Sequence, residues 1–199
     1  MPARSVPNHL PCAKFPGVAA LLSCCVTLAG EATPGWVSAS SVHSPQYTAE
    51  SAFDGDRQTR WASAQAGDRP AWLEVDFGRE VSVGEMVIHW ERAAAQAYEI
   101  RVSSDRKAWQ TIHRQAEGVG GTERLTGMDG RGRYLRIQCQ RPGSWGLFSI
   151  WEVEFPRGEA AAALVEHRRR AAQLWADQQR EAREALTAAW TEHGIEEIV

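Results

Sequence analysis

Short stretches in which apolar and polar residues alternate fill the middle of the chain. They lie at residues 71–77, 86–90, 98–102, 135–139 and 148–155, and the first of them stops at Gly78. Glycines such as Gly130 and Gly132 separate the later ones. Several short alternating strands with turn residues between them are typical of an antiparallel sandwich or barrel rather than a parallel α/β sheet. The pattern therefore predicts an all-β domain over residues 36–156.

After Pro156 the period of the pattern changes from that of a strand to that of a helix. Residues 157–199 are rich in Ala, Glu, Arg and Gln and contain no further proline. Apolar residues recur there at helical spacing, namely Leu164, Ala171, Leu174, Trp175, Ala182, Leu186, Ala189 and Trp190. Charged residues cover the opposite face. We expect one long amphipathic helix over 157–199, ending near Gly194, that leads to a further domain or docks on a partner protein.

The first 32 residues show neither pattern and are typical of an export signal. Arg4 and Lys14 give a positive start, residues 15–29 are almost uncharged, and small residues near position 30 offer a cleavage site. In an alternative interpretation, residues 21–24 (Leu-Leu-Ser-Cys) resemble a bacterial lipobox, which would place a lipid on Cys24. Both interpretations predict a protein that is secreted or held in the cell envelope.

The composition and net charge of the chain exclude some classes of function. The chain has 199 residues, of which 43% are hydrophobic and 24% charged, as in an ordinary globular protein. A formal net charge of -3 argues against a nucleic-acid-binding surface, which needs a basic excess. Removal of the signal leaves Cys139 as the remaining cysteine, in an alternating stretch that turns it inward. Without an internal disulfide the exported fold needs another source of stability, and a bound metal is one candidate.

One acidic loop carries residues suited to a metal. Asp54, Asp56 and Thr59 place oxygen atoms within a few positions of one another, and Gly55 allows a sharp turn between them. Hard oxygen ligands at irregular spacing suit Ca²⁺, although the twelve-residue EF-hand pattern is absent. Taken alone, Asp-Gly-Asp is a weak signal for a metal, and the alternative is a turn with Asx capping.

The same loop resembles a known family. Residues 52–56 (Ala-Phe-Asp-Gly-Asp) and 59–61 (Thr-Arg-Trp) are similar to the signature of the discoidin domains, also called coagulation factor V/VIII type C domains. Residues 72–78, the stretch from Trp90 to Trp109, and residues 149–155 resemble further blocks of that family in the same order. The resemblance implies an antiparallel jelly-roll β-sandwich, the galactose-binding-like fold shared with family 32 carbohydrate-binding modules.

The resemblance also implies a structural Ca²⁺ site that joins the acidic loop to the last strand. Carried over by position, its ligands would be Phe53, Asp54, Asp56, Thr59 and Glu152. An ion that bridges residues about a hundred positions apart would tie the two ends of the domain together without disulfides.

In the family that the sequence resembles, ligands bind at loops on one end of the sandwich. Sugar recognition needs an aromatic face and nearby polar groups for the hydroxyls. The candidate ligand-binding residues in such loops are His43, Trp90, Glu91, Arg92 and Trp145.

The aromatic candidates differ in how well their positions suit a ligand. Trp145 stands outside any alternating stretch, so it favours a binding role, with a plug over the end of the sandwich as the alternative. Trp90 alternates with Met86 and Ile88 in a way that is also typical of a core residue. A galactose-specific set of side chains is not evident, so the sequence does not identify which monosaccharide is bound.

These observations favour a non-catalytic, extracellular glycan-binding module. The alternative is an adhesion module that binds protein or phospholipid, although a basic rim is absent from the loops. An enzyme is not expected, because the sequence contains no Ser/His/Asp arrangement, zinc-ligand spacing or phosphate loop.

Overall fold

Seven β-strands, one short 3-10 helix and one α-helix make up the part of the chain that a computed structural model describes, residues 35–65, 67 and 69–192. The strands are β1 (Val37–Ala39), β2 (Trp61–Ala62), β3 (Ala71–Trp90), β4 (Ala95–Ser103), β5 (Gln110–Gln115), β6 (Thr122–Pro142) and β7 (Ser149–Glu154). The 3-10 helix spans Glu50–Ala52, and the helix α1 spans Gly158–Glu192. The predicted export signal and its Cys24 alternative lie outside the described residues.

All strand pairings among the described residues are antiparallel. The order across the sheet is β2-β7-β3-β6-β4-β5, with β1 paired to β3. The long strands β3 and β6 pair with each other at the centre of the sheet. The predicted antiparallel jelly roll is therefore confirmed.

β3 is longer than the alternating pattern indicates. The sequence predicts that the first strand stops at Gly78, whereas β3 continues through it to Trp90. Gly78 has a φ of +73°, and the pairing with β6 shifts register between Asp76 and Val81. Such irregularities bend a strand without ending it. The predicted break is thus a bend in one continuous strand.

Gly130 and Gly132, which the sequence places between strands, lie inside β6. At Gly132 an added Cβ would come within 2.8 Å of the Ser103 carbonyl oxygen and 2.9 Å of its nitrogen. This glycine is needed because the backbone of β4 approaches β6 too closely for any side chain.

The apolar face of the strands forms one core. Its largest fully buried side chains include Trp61, Tyr98, Phe53, Phe148, Leu73, Ile88, Ile100, Leu135, Ile137 and Ile150. Cys139 is also fully buried, as the alternation predicts, and burial raises the pKa of its thiol well above the ordinary value. A buried neutral thiol of this kind packs as a small apolar side chain.

Helix α1 has two parts with different surroundings. Its beginning packs on the sandwich through Ala160, Ala163 and Leu164, all of them buried. Farther along, Trp175 and Leu186 are more than half exposed, as are Leu174 and Trp190. Within the described residues, no helix combines the length and apolar character needed to cross a membrane. The docking of this helix on a partner or a further domain stays a prediction.

Candidate functional site

A pocket opens where the loops after β1, β3 and β6 meet. Its volume is about 170 Å³. The lining residues are His43, Tyr47, Arg60, Ala62, Glu91, Ala93, Trp145, Leu147 and Ser149. Three of the five predicted ligand-binding residues, His43, Glu91 and Trp145, are therefore brought together, although they are far apart in the sequence.

Backbone hydrogen bonds hold these loops in place. The amide of Glu91 donates to the carbonyl of Ser149 at 3.1 Å, and the amide of Ser149 donates to the carbonyl of Ala93 at 2.9 Å. The amide of His43 donates to the carbonyl of Ala62 at 2.8 Å. The pocket is thus built on the ends of β2, β3 and β7 rather than on free loop segments.

The carboxylate of Glu91 forms the acidic part of the pocket. Its Oε2 atom accepts a hydrogen bond from the amide of Ala93 at 3.0 Å, which fixes the orientation of the side chain. A carboxylate held in this way can accept further hydrogen bonds from a ligand, because each oxygen has two lone pairs.

Trp145 supplies an accessible aromatic surface. Its side chain is 56% exposed, in a loop closed by the hydrogen bond from the amide of Gly146 to the carbonyl of Gly143 at 3.2 Å. The side chain of Gln65 donates to the Trp145 carbonyl at 3.3 Å. A ring that is exposed while its backbone is fixed suits contact with the apolar face of a sugar.

Arg60 and Tyr47 complete the pocket, and the sequence did not identify either as a ligand-binding residue. The guanidinium carbon of Arg60 lies 4.3 Å from the centre of the Tyr47 ring and 5.0 Å from that of Trp151. The Nε atom of Arg60 is buried and has no hydrogen-bond partner among the described residues. The ring of His43 lies 5.9 Å from that of Tyr47. Arg60 belongs to the family-like signature, but neither residue shows a pattern that predicts this contact.

The other two predicted ligand-binding residues lie elsewhere. Trp90 is only 4% exposed and packs against Tyr98 with ring centres 5.2 Å apart, so it offers no face to a ligand. This burial matches its alternation with Met86 and Ile88. Arg92 is exposed but does not line the pocket.

The acidic loop forms a capped turn. Asp54 accepts hydrogen bonds from the amide of Asp56 at 2.8 Å and from the hydroxyl of Thr59 at 2.7 Å. Asp56 in turn accepts from the amide of Gln58 at 2.8 Å. These are the Asx contacts expected of the capped turn that is the alternative to metal binding.

The two remaining predicted metal ligands face an arginine. The Phe53 carbonyl and the Glu152 carboxylate both accept hydrogen bonds from the guanidinium of Arg168, which belongs to α1. Burial raises the pKa of Glu152 to about 7, although the charge of Arg168 and the amide of Gly55 act in the opposite direction. Since a fixed cation already holds these oxygens, the donor set in this arrangement does not fit a metal ion.

In the part of the chain that the structure describes, no cluster of three or more His, Cys, Asp or Glu side chains could hold a metal ion. The Ca²⁺ site predicted at Phe53, Asp54, Asp56, Thr59 and Glu152 is therefore an expectation that the contacts of Arg168 do not favour.

Comparison with known proteins gives three consistent findings. The family model of the F5/8 type C domain matches residues 37–153. Chitosan-binding module 1 of a chitosanase/glucanase from Paenibacillus sp. IK-5 is 34% identical, with a TM-score of 0.56, over 59% of this chain and 90% of that module. Module 2 of the same enzyme, solved in complex with chitotriose, is 28% identical with a TM-score of 0.55, over 59% of this chain and 92% of that module.

A polysaccharide lyase 8 family protein, HylA of Enterococcus faecalis, is 35% identical over 102 residues. The match covers 51% of this chain but only 7% of the lyase.

Proposed function

This chain belongs to the F5/8 type C domain family, and we propose on that premise that its β-sandwich is a non-catalytic module that binds carbohydrate. The binding site is the pocket lined by His43, Tyr47, Arg60, Glu91 and Trp145. The ligand is a polysaccharide or an oligosaccharide released from one.

The observation that carries this proposal is the combination of groups in one pocket. Trp145 offers an exposed ring for the apolar face of a pyranose. Glu91 can accept hydrogen bonds from sugar hydroxyl or amino groups, and Arg60 and His43 line the same pocket as donors. A few polar groups beside an aromatic surface are the usual composition of a sugar site.

The comparisons support a glycan as the ligand. The two Paenibacillus modules are chitosan-binding modules, and one was solved with chitotriose. A carboxylate such as Glu91 would suit the ammonium group of a glucosamine unit, because a charge-assisted hydrogen bond is stronger than a neutral one. Chitooligosaccharides are therefore the first ligands to test.

Isothermal titration with chitooligosaccharides, preceded by a glycan array, tests the proposal. We expect Trp145→Ala to weaken binding by about tenfold or more, which corresponds to roughly 1.4 kcal/mol. Trp190→Ala is the matched control, because Trp190 is also about half exposed but lies on α1. Equal binding by the wild type and Trp145→Ala would remove this pocket from the proposal.

The same array separates glycan binding from the adhesion alternative. Trp145 in the pocket and Val42, which precedes His43 in the sequence, are both exposed, so an apolar contact with a phospholipid surface is the competing explanation. Retention of the protein by anionic liposomes without any glycan signal would favour that alternative.

We also propose that the protein acts outside the cytoplasm, as its first 32 residues predict. The N-terminal sequence and mass of the protein recovered from its own cell would test this. Cleavage near residue 32 supports a secreted protein, a lipid on Cys24 supports an envelope lipoprotein, and an intact Met1 would contradict export.

A further inference from the structure

The beginning of α1 is part of the sandwich rather than a linker leaving it. Ala160, Ala163 and Leu164 are buried against the strands. The imidazole of His167 stacks on the indole of Trp36, with ring centres 5.1 Å apart and planes within 4°. The first turns of the helix are therefore fixed, and the next residue, Arg168, is held at a defined place.

Arg168 reaches the two ends of the β domain at once. Its Nε atom donates to the Phe53 carbonyl at 2.6 Å, and its Nη2 atom donates to Glu152 Oε1 at 2.5 Å. The other carboxylate oxygen of Glu152 accepts from the amide of Gly55 at 3.1 Å. One guanidinium thus connects the acidic loop, the closing strand β7 and the helix.

The acidic loop is shaped to admit this side chain. Gly55 has a φ of +89°, which favours glycine, and an added Cβ would stand 3.4 Å from Nη1 of Arg168. Because the guanidinium packs directly over this turn, the loop conformation and the position of Arg168 depend on each other.

The burial of the Glu152 carboxylate also favours an arginine at this place. The side chain of Glu152 is only 1% exposed, and a buried carboxylate needs a counter-charge. Its neighbour Glu154 is paired with Arg57 and His89. Among the ion pairs of the described residues, Arg168 is the cation that contacts Glu152. A planar guanidinium with several donors suits two acceptors on different segments.

We propose that Arg168 replaces, within this chain, the divalent ion that the resemblance of the acidic loop predicts. Its guanidinium carries the positive charge between Phe53 and Glu152, so the folded domain with α1 docked neither needs nor admits Ca²⁺ there. This inference is independent of the proposed sugar pocket, which lies among other loops.

Thermal unfolding of the full chain with excess Ca²⁺ or with EDTA tests this replacement. We expect the wild type to unfold at the same temperature in both. Arg168→Gln should unfold about 5 °C or more below the wild type in EDTA, because it leaves the Glu152 carboxylate buried without its counter-charge. Because the freed oxygens then accept an ion, Ca²⁺ should restore part of that loss.

Arg169→Gln is the matched control, since Arg169 is the adjacent exposed arginine of the same helix, and it should behave as the wild type. Should Arg168→Gln fail to fold, Arg168→Lys provides the second variant, with a smaller loss in EDTA. A wild-type transition that falls by several degrees on chelation would overturn the proposal. So would an Arg168→Gln or Arg168→Lys protein that unfolds like the wild type, or an Arg168→Gln protein indifferent to Ca²⁺.

Discussion

The guanidinium of Arg60 lies over the ring of Tyr47, with its central carbon 4.3 Å from the ring centre. Both residues line the pocket together with Glu91 and Trp145. A planar cation fixed on an aromatic ring keeps its remaining N–H groups available to a ligand.

We expect Arg60→Lys to weaken glycan binding by about tenfold while leaving the fold intact, because lysine keeps the charge but loses the planar stack. Titration calorimetry measures the affinity, and circular dichroism reports the fold. Arg92→Ala is the control, since Arg92 is exposed but does not line the pocket. If Arg92→Ala weakened binding and Arg60→Lys did not, the binding site would include Arg92, as the sequence predicts, rather than Arg60.

Glu91→Gln is expected to reduce the affinity for glycans by about threefold or more, because a neutral acceptor makes weaker hydrogen bonds than a carboxylate. The amide oxygen of the new side chain still accepts from Ala93, so the melting temperature should not change. Glu117→Gln alters a carboxylate that is 85% exposed and away from the pocket, and should bind as the wild type does. Loss of stability in Glu91→Gln would instead indicate a structural role for Glu91.

The stability of the domain should depend on acid pH through Asp76. Burial alone would raise the pKa of this carboxyl, but the bidentate contact with Arg133 and the amide of Gly78 together lower the pKa by more, so the net shift is downward. A carboxyl with a lowered folded pKa stabilises the fold above its unfolded pKa, about 3.9, and loses that effect as the pH falls through the folded value.

Arg133→Gln should therefore unfold more easily than the wild type at neutral pH, by about 1 kcal/mol since Arg133 is partly exposed, and the difference should shrink below about pH 4. Denaturant titrations across pH measure it. Arg180→Gln, which alters an exposed helix pair with Asp177, should show no such pH-dependent difference. A difference that stayed constant down to low pH would contradict the assignment to Asp76.

Gly132→Ala tests the close approach of β6 to β4. The new methyl group would meet the Ser103 backbone at 2.8 Å, so we expect a loss of about 2 kcal/mol in the free energy of unfolding. Gly84→Ala is the matched control in the neighbouring strand β3, because its nearest contact would be an ordinary 3.6 Å. Similar losses in both variants would show that the close approach of the Ser103 backbone is not the reason for glycine at position 132.

The sequence predicts the class of fold and most strands correctly, because alternation records which side of each strand is buried. It misplaces the end of the first long strand. Gly78 looks like a terminator, and only the register shift against β6 shows that it is a bend.

The candidate site was partly accessible to sequence reasoning. Trp145 was found because it stands outside any alternating stretch, and Glu91 because it lies in a candidate end loop. Arg60 and Tyr47 were not, since their contact depends on the three-dimensional path of two loops. Trp90 was placed among the ligand-binding residues, although its alternation already indicated the core position that it occupies.

Arg168 shows a different limit of sequence reasoning. In the sequence it is one arginine of a basic run on an amphipathic helix, typical of a solvated face. Its role follows from the packing of the first turns of α1 on the sandwich, which helical periodicity does not encode.

The packing of α1 also determines which residues the domain needs in order to fold within another polypeptide. A fragment trimmed to residues 37–153 would keep most of the sheet, yet it would lose Leu164 from the core and would discard Trp36 together with its stacked imidazole. Recombination that moves this module between larger polypeptides would therefore have to carry the eleven residues from Gly158 to Arg168 along with it.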